Sequence, residues 1–243
     1  MEKRIIARGL LAGAIGSVAA FVFARTFVEP LIDQAIAYEE AQAGGHEHGV
    51  EVITRGVQAN IGLGFGVLAF GVAMGALFAV AYCVAYGRVG NLSSRLQSVL
   101  LAGGMFLSLS VIPFLKYPPN PPAVSLDETI RQRTLLYLLM VVLSAALLAG
   151  AVVLGRNLVE RFGAWSATLI AAASYVVAIA IVMLALPTID ETPDDFPADV
   201  LYEFRLYSLG TQLVLWVIIA VVFASMVQRL LGEQKRQETY IPA

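Results

Sequence analysis

The chain has 243 residues, of which 58% are hydrophobic and only 14% charged, and its formal net charge is −2. With a mean hydropathy of +0.77, this composition excludes a sizeable separate soluble domain. Residues 1–243 are therefore predicted to form a single integral membrane domain, surrounded by membrane lipid, and no nucleic-acid partner is expected.

Six long apolar stretches follow one another along the chain. Each is close to the ~20 residues that a helix needs to cross the hydrocarbon core of a membrane. The pattern predicts an all-α, polytopic membrane protein with six transmembrane helices. The predicted spans are 6–28, 60–86, 96–115, 135–154, 164–186 and 206–227.

The segments between the spans alternate in charge. With the N-terminus inside, the inner segments hold ten basic and four acidic residues, and the outer side holds six basic and fourteen acidic residues. The resulting net charges are +6 inside and −8 outside. Because cytoplasmic segments collect lysine and arginine, both termini are predicted to lie in the cytoplasm, with outer loops at about 29–59, 116–134 and 187–205.

Small residues recur at four-residue spacing within the first two spans. Gly9, Gly13 and Ser17 share one face of the first span, and Gly71 with Gly75 repeats the spacing in the second. Such faces let helix backbones approach closely. They predict packing between spans of this chain or against a second copy in a homo-oligomer.

The first outer loop contains six acidic residues and one basic residue between positions 29 and 55. His46 and His48, the only histidines of the chain, flank Glu47 there. In an extended segment, residues two apart point to the same side, and imidazole with carboxylate suits Co²⁺, Ni²⁺ or Zn²⁺. The triplet is therefore a candidate metal site, and the alternative is a solvated linker without a ligand.

The third outer loop also carries six acidic residues before Arg205. Pro197 is predicted in the first turn of a short helix, with Asp195 near its N-cap, so that Asp195, Asp199 and Glu203 repeat at four-residue spacing. This stripe could concentrate cations near the membrane. Alternatively, the acids complement the helix dipole or pair with nearby arginines.

Between these two acidic loops lies a proline-rich segment with the sequence PFLKYPPNPPAV. Its prolines favour a stiff, extended connection that braces the ends of the third and fourth spans or seats a partner. Lys116 and Tyr117, at the end of a span, match ordinary interfacial anchoring.

Five segments, in this order, resemble the predicted cobalt transporter subunit CbtA family, and the resemblance covers almost the whole chain. The proline motif of the family usually reads KYPANPPAVG, so Pro119 and Ser125 are departures. The segments are EPLIDQAIAYEEA, HEHG, PFLKYPPNPPAV, TIRQRTLLYLLM and DFPADVLYEFRLYSLGTQLVLW.

The resemblance implies a multi-pass protein of the bacterial cytoplasmic (inner) membrane. It implies cobalt uptake for corrinoid synthesis, together with a small single-span subunit of the CbtB type. No prosthetic group is expected, and Co²⁺ or Ni²⁺ is the transported ion. The candidate metal contacts are Glu29, Asp33, Glu39, Glu40, His46, Glu47, His48, Asp195, Asp199 and Glu203.

Two other classes of function are compatible with the sequence. A membrane scaffold or assembly subunit would use the proline loop and the glycine faces without carrying metal itself. An intramembrane metalloenzyme is disfavoured, because the spans contain no HExxH motif and no paired acids at depth. The chain is predicted not to be an enzyme, and the absence of a GxxxxGK[ST] loop gives no sign of ATP hydrolysis.

Overall fold

A computed structural model of the chain describes residues 2–42, 54–90, 92–122, 124, 127–189, 191–193 and 195–239. Most of the described residues are helical and none of them forms a β-strand, as the all-α prediction requires. The α-helices are α1 (Glu2–Phe23), α2 (Glu29–Gln42), α3 (Arg55–Val57), α4 (Leu63–Ala85), α5 (Ser94–Phe106), α6 (Ile112–Lys116), α7 (Asp127–Ala185) and α8 (Ala198–Thr239). Three π-helical turns join some of them: π1 (Ala24–Val28), π2 (Gln58–Gly62) and π3 (Leu107–Val111).

Five helical stretches of the described chain are long and apolar enough to cross a membrane. They are Glu2–Gln42, Arg55–Ala85, Ser94–Lys116, Thr129–Ala185 and Ala198–Gly232. The predicted fourth and fifth spans both lie on α7, which accounts for the difference from the six predicted helices.

Helix α7 reverses direction at Gly163, whose backbone angles of φ 75° and ψ 161° are not helical. Only glycine adopts such angles readily, because it has no Cβ. The hydroxyl oxygens of Ser144 and Tyr175 are 2.8 Å apart. In a straight helix, 31 residues would separate them by ~46 Å. The two halves of α7 therefore lie side by side.

The helices continue into two of the segments that were predicted to be outer loops. Residues Glu2–Gln42 form one continuous helical stretch, and Leu31 and Ala35 bury one face of its last part. The short helix predicted at Pro197 is instead the start of the 42-residue α8. Its buried Val200 and Phe204 continue the apolar face of the last span.

The chain divides into two compact units. The terminal unit comprises Met1–Gly103 and Leu206–Ala243, and the central unit comprises Gly104–Arg205. In the central unit, Ile112, Met140, Tyr175 and Ile179 are buried together in one apolar cluster.

In the terminal unit, the backbones of α1 and α4 are in close contact. Gly9 and Gly13 on α1 face Gly71 and Gly75 on α4, and a Cβ atom at Gly9 or Gly75 would collide with the carbonyl oxygen of the other. Ser17 is part of the same contact, where its hydroxyl donates to the Gly13 carbonyl at 2.7 Å. The small residues at these positions therefore serve packing within the chain.

Substituting Gly75 with alanine is expected to lower the free energy of unfolding by roughly 1–3 kcal/mol, because the added methyl group overpacks the α1/α4 contact. The matched control is Gly66→Ala on the same helix, where a Cβ would meet no atom within 4 Å. Thermal unfolding of the two purified variants in detergent compares them. Equal melting temperatures would contradict the proposed contact.

Candidate metal-binding residues

Helix α2 places Glu29 and Asp33 one turn apart, and both carboxylates bind Arg55 from the start of α3. The Arg55 guanidinium contacts Asp33 Oδ1 through Nε at 3.1 Å and through Nη2 at 2.9 Å. The same Nη2 donates to Glu29 Oε1. The Glu29 side chain is only 2% exposed, whereas that of Asp33 is 60% exposed.

This arrangement determines what the two acids can do. A buried carboxylate needs a charged or hydrogen-bonding partner, and Arg55 supplies it to Glu29. A metal ion at Glu29 and Asp33 would therefore compete with a guanidinium that already binds both carboxylates and balances one of their two charges. Arg25, in the nearby turn π1, instead donates from Nε to Asn60 Oδ1 of π2 at 3.1 Å.

In the central unit, a second buried carboxylate is surrounded by donors. Glu191, whose side chain is 1% exposed, pairs with Arg133 at 2.9 Å. The Thr129 hydroxyl donates to its other oxygen, and Asn120 Nδ2 lies 3.5 Å from Oε2. Arg133 also donates to the Pro118 carbonyl. The acid therefore joins the proline-rich segment to the first turns of α7.

The proline-rich segment has further contacts within the same unit. Arg205 donates to Asn120 Oδ1 at 2.8 Å, and Lys116 donates to the Thr188 hydroxyl at 3.2 Å. The Tyr117 hydroxyl donates to the Pro187 carbonyl at 2.7 Å. Burial raises the pKa of Tyr117 above its ordinary value. Lys116 and Tyr117 thus do more than anchor a span end.

Sequence reasoning did not single out Glu191. It lies among six acids of one loop, and nothing local separates it from its neighbours. The available signal was indirect. Each proline has a backbone carbonyl oxygen but no N–H group, so a proline-rich segment contains more backbone acceptors than donors and can accept hydrogen bonds from arginine. Arg133 and Arg205 both bind that segment.

The other candidate ligands are distributed as follows. Glu39 and Glu40 are exposed at the end of α2, while Asp199 and Glu203 are exposed on the first two turns of α8. Asp195 is exposed two residues before Pro197, whose carbonyl accepts from the Leu201 N–H at 3.1 Å. The predicted triplet of His46, Glu47 and His48 lies outside the described residues.

The exposed acidic candidates therefore form two small groups, one at the end of α2 and one at the start of α8, and not a single assembled metal centre. Among them, no group of three or more histidine, cysteine, aspartate or glutamate side chains is arranged to hold a metal ion. In α8, Asp199 and Glu203 are four residues apart, which puts their Cβ atoms about 5–6 Å from each other. The pair can attract a cation electrostatically, since no ion pair with a described residue neutralises either carboxylate.

Comparison with known proteins identifies the family. The family model described as "Probable cobalt transporter subunit (CbtA)" matches residues 2–228. The chain therefore belongs to the CbtA family, which confirms the resemblance seen in the sequence. No curated protein and no solved structure matches the chain.

The Glu191 cluster leads to a stability prediction with a control two residues away. Arg133→Ala is expected to lower the free energy of unfolding by roughly 3–5 kcal/mol, because it leaves the buried Glu191 charge unpaired. Arg131→Ala, at an exposed position on the same helix, is expected to change it by less than about 0.5 kcal/mol. Thermal or denaturant unfolding in detergent measures the difference. A similar loss in both variants would rule out a specific role for Arg133.

Proposed function

We propose that the chain is the membrane subunit of an uptake transporter for a divalent transition metal, with cobalt as the main cargo. The observation that carries this proposal is family membership across residues 2–228. The helices support it, because five stretches have the length and composition of membrane spans. Transport subunits are not themselves enzymes, and the proposed role requires no catalysis by this chain.

The proposed topology has six spans, with both termini in the cytoplasm of a bacterium and the protein in its inner membrane. The reversal of α7 at Gly163 supports two crossings by this helix. A straight 59-residue helix would be ~88 Å long, about three times the ~30 Å hydrocarbon core. The orientation rests on the excess of basic residues in the segments assigned to the cytoplasm.

Cation capture is proposed for the outer acidic groups and for the His46, Glu47 and His48 triplet. In the terminal unit, Glu39 and Glu40 are exposed on α2, and the triplet follows in the same predicted loop. Carboxylates alone attract divalent cations, and the added imidazoles favour transition metals over Mg²⁺ or Ca²⁺. The triplet therefore supplies the selectivity in this proposal.

The remaining candidates contribute in different ways. Asp195, Asp199 and Glu203 form the acidic group of the central unit and raise the local cation concentration. Glu29 and Asp33 have Arg55 as a competitor, so metal contact with them would require the guanidinium to leave. In this proposal, the exposed acids contact the cation before Glu29 and Asp33 do.

The proposed transporter works with other components. The family description contains the word subunit, and a small single-span subunit of the CbtB type is the proposed partner. A homo-oligomer is a further possible assembly for a six-helix chain. The membrane potential favours inward movement by about 2.3 kcal/mol per charge per 100 mV, and therefore by about twice that for a divalent ion.

The first experiment measures uptake of radioactive Co²⁺ and Ni²⁺ by cells that express the chain with a CbtB-type partner. His46→Ala combined with His48→Ala is expected to reduce cobalt uptake at least several-fold at low metal concentration, because capture loses its nitrogen ligands. The matched control is Glu2→Gln, an acid on the proposed cytoplasmic side that should leave uptake unchanged. Surface expression of every variant is measured in parallel.

The same experiment separates transport from the scaffold alternative. Uptake that depends on the chain but not on the two histidines would reject the triplet as the capture site. Uptake that is the same with and without the chain would reject the transport function and favour a scaffold.

A further inference from the structure

Helices α1 and α4 run antiparallel in the terminal unit. A Cβ atom at Gly9 would meet Gly75 and Ala79, and one at Gly13 would meet Gly71. Because each residue advances a helix by about 1.5 Å, this register can be followed from Gly9 back to the start of α1. The first turn of α1 therefore lies beside the last turn of α4.

Helix α8 runs parallel to α4 and reaches the same place. A Cβ atom at Gly71 would meet Leu215 of α8, and so would a Cβ atom at Gly16 of α1. Further along, the ring centroids of Tyr82 and Phe223 are 5.1 Å apart. The C-terminal part of α8 therefore lies beside the last turn of α4 and the first turn of α1.

Basic side chains gather where these three helix ends meet. Three are on the first turns of α1, one follows α4 and one is on α8, and all five belong to the terminal unit. Among the described side chains at these ends, Glu2 is the one acidic residue. We call the five basic residues the basic end: Lys3, Arg4, Arg8, Arg88 and Arg229.

The basic end has no acidic partner within the described part of the chain. None of its residues forms an ion pair with a described residue. Arg8 Nη1 donates to the Arg4 carbonyl at 3.0 Å, and Arg88 Nη1 donates to the Val84 carbonyl at 2.7 Å. A guanidinium has five N–H donors, so these contacts leave most of the donors for another acceptor.

The arginines at the opposite end of the terminal unit are used differently. Arg55 binds the carboxylates of Glu29 and Asp33, and Arg25 donates to Asn60 Oδ1 at 3.1 Å. Those guanidinium groups hold segments of the chain together. The guanidinium groups of the basic end contact only carbonyl oxygens of their own segments, and they can therefore bind an external anion.

Apolar side chains next to the basic end indicate what carries this anion. Leu11 on α1 is 52% exposed, Val84 on α4 is 61% exposed and Val221 on α8 is 60% exposed. Leu11 lies three residues from Arg8, and Val221 lies eight residues from Arg229, so each shares a helix face with its arginine. A ligand that fits both features has an anionic head and an apolar chain.

We propose that the basic end is a binding surface for anionic phospholipids. The guanidinium groups bind the headgroup phosphate, a partner that arginine contacts with paired hydrogen bonds, and the acyl chains lie along the neighbouring apolar faces. This surface fixes the depth of the terminal unit in one leaflet. It does not depend on which ion the protein transports.

Native mass spectrometry of the full-length protein tests the lipid preference. The protein is released from micelles that contain equal amounts of phosphatidylglycerol and phosphatidylcholine with identical acyl chains. Phosphatidylglycerol is expected to be bound at least about fivefold more than phosphatidylcholine. The preference is expected to fall towards one in 1 M ammonium acetate, since salt screens exposed charges. Equal binding of the two lipids at low salt would overturn the proposal.

Variants locate the binding surface. Arg4→Gln combined with Arg229→Gln is expected to weaken phosphatidylglycerol binding by about fivefold for each arginine removed. The matched control is Arg131→Gln, which removes an exposed arginine of α7 that has no ion pair with a described residue, and it is expected to change binding by less than about twofold. Arg4→Lys combined with Arg229→Lys keeps the charge and should retain most of the preference. An equal loss in the double Gln variant and the control would contradict the surface.

A competition experiment separates a lipid from a free anion. Inorganic phosphate and soluble glycerophosphoglycerol carry the anion without acyl chains, and neither is expected to displace phosphatidylglycerol at a hundredfold excess. Displacement by either would show an anion site and overturn the lipid assignment. Because the readout is lipid binding, failure of this proposal leaves the proposed transport function standing. Absence of cobalt transport would likewise leave the lipid surface standing.

Discussion

The pairing of one arginine with one buried glutamate is the interaction on which each unit of this protein depends. In the terminal unit, Arg55 binds Glu29 and joins the start of α3 to α2. In the central unit, Arg133 binds Glu191 and joins the start of α7 to the segment before α8. A buried carboxylate without its arginine would be strongly destabilising. Segments far apart in the chain are thereby fixed at the ends of apolar helices.

These pairs also determine which acids remain available to a cation. The net charge of −8 predicted for the outer side includes Glu29 and Glu191, whose charges are already matched. The acids that no guanidinium neutralises in the described structure are exposed ones such as Glu39, Glu40, Asp199 and Glu203. The structure thus separates carboxylates that are paired with arginine from exposed carboxylates that have no ion pair with a described residue, a distinction that charge counting cannot make.

The buried contacts between helices of the terminal unit also differ in kind. Glycines bring α1 and α4 so close that their backbones touch, which leaves no room for a guest between them. The contact between α4 and α8 brings aromatic rings together, and the buried Tyr82 hydroxyl there has no hydrogen-bond partner among the described residues. Helix α4 therefore has one face in backbone contact with α1 and another covered by an aromatic ring of α8.

Much of the fold follows from the hydrophobic pattern of the sequence. The apolar runs predict the all-helical class and the approximate positions of the spanning helices, and the four-residue spacing of Gly9, Gly13, Gly71 and Gly75 predicts a close helix contact. The reversal at Gly163 appears in the sequence only as a short gap between two apolar runs. Its backbone angles, which glycine adopts readily, mark the turn between the two halves of α7.

The sequence predicted less of the candidate site than of the fold. The continuation of the first helical stretch to Gln42 depends on buried residues such as Leu31, and the sequence predicted a loop there. At Pro197 the sequence predicted a short separate helix, and buried Phe204 shows why this helix is instead continuous with the last span. The choice of Glu191 and Glu29 as ion-pair partners depends on three-dimensional proximity. The metal triplet of His46, Glu47 and His48 stays a prediction from ligand chemistry.

The most direct test of the account measures cobalt entry into proteoliposomes that contain the purified chain with the proposed partner, a small single-span subunit of the CbtB type. A potassium gradient and valinomycin set an inside-negative potential, and a trapped dye reports Co²⁺. The account predicts entry that rises steeply with the imposed potential and disappears when the chain is omitted. Entry at the same rate in liposomes without the chain, or no entry at any potential with it, would contradict the claim that this protein carries the ion.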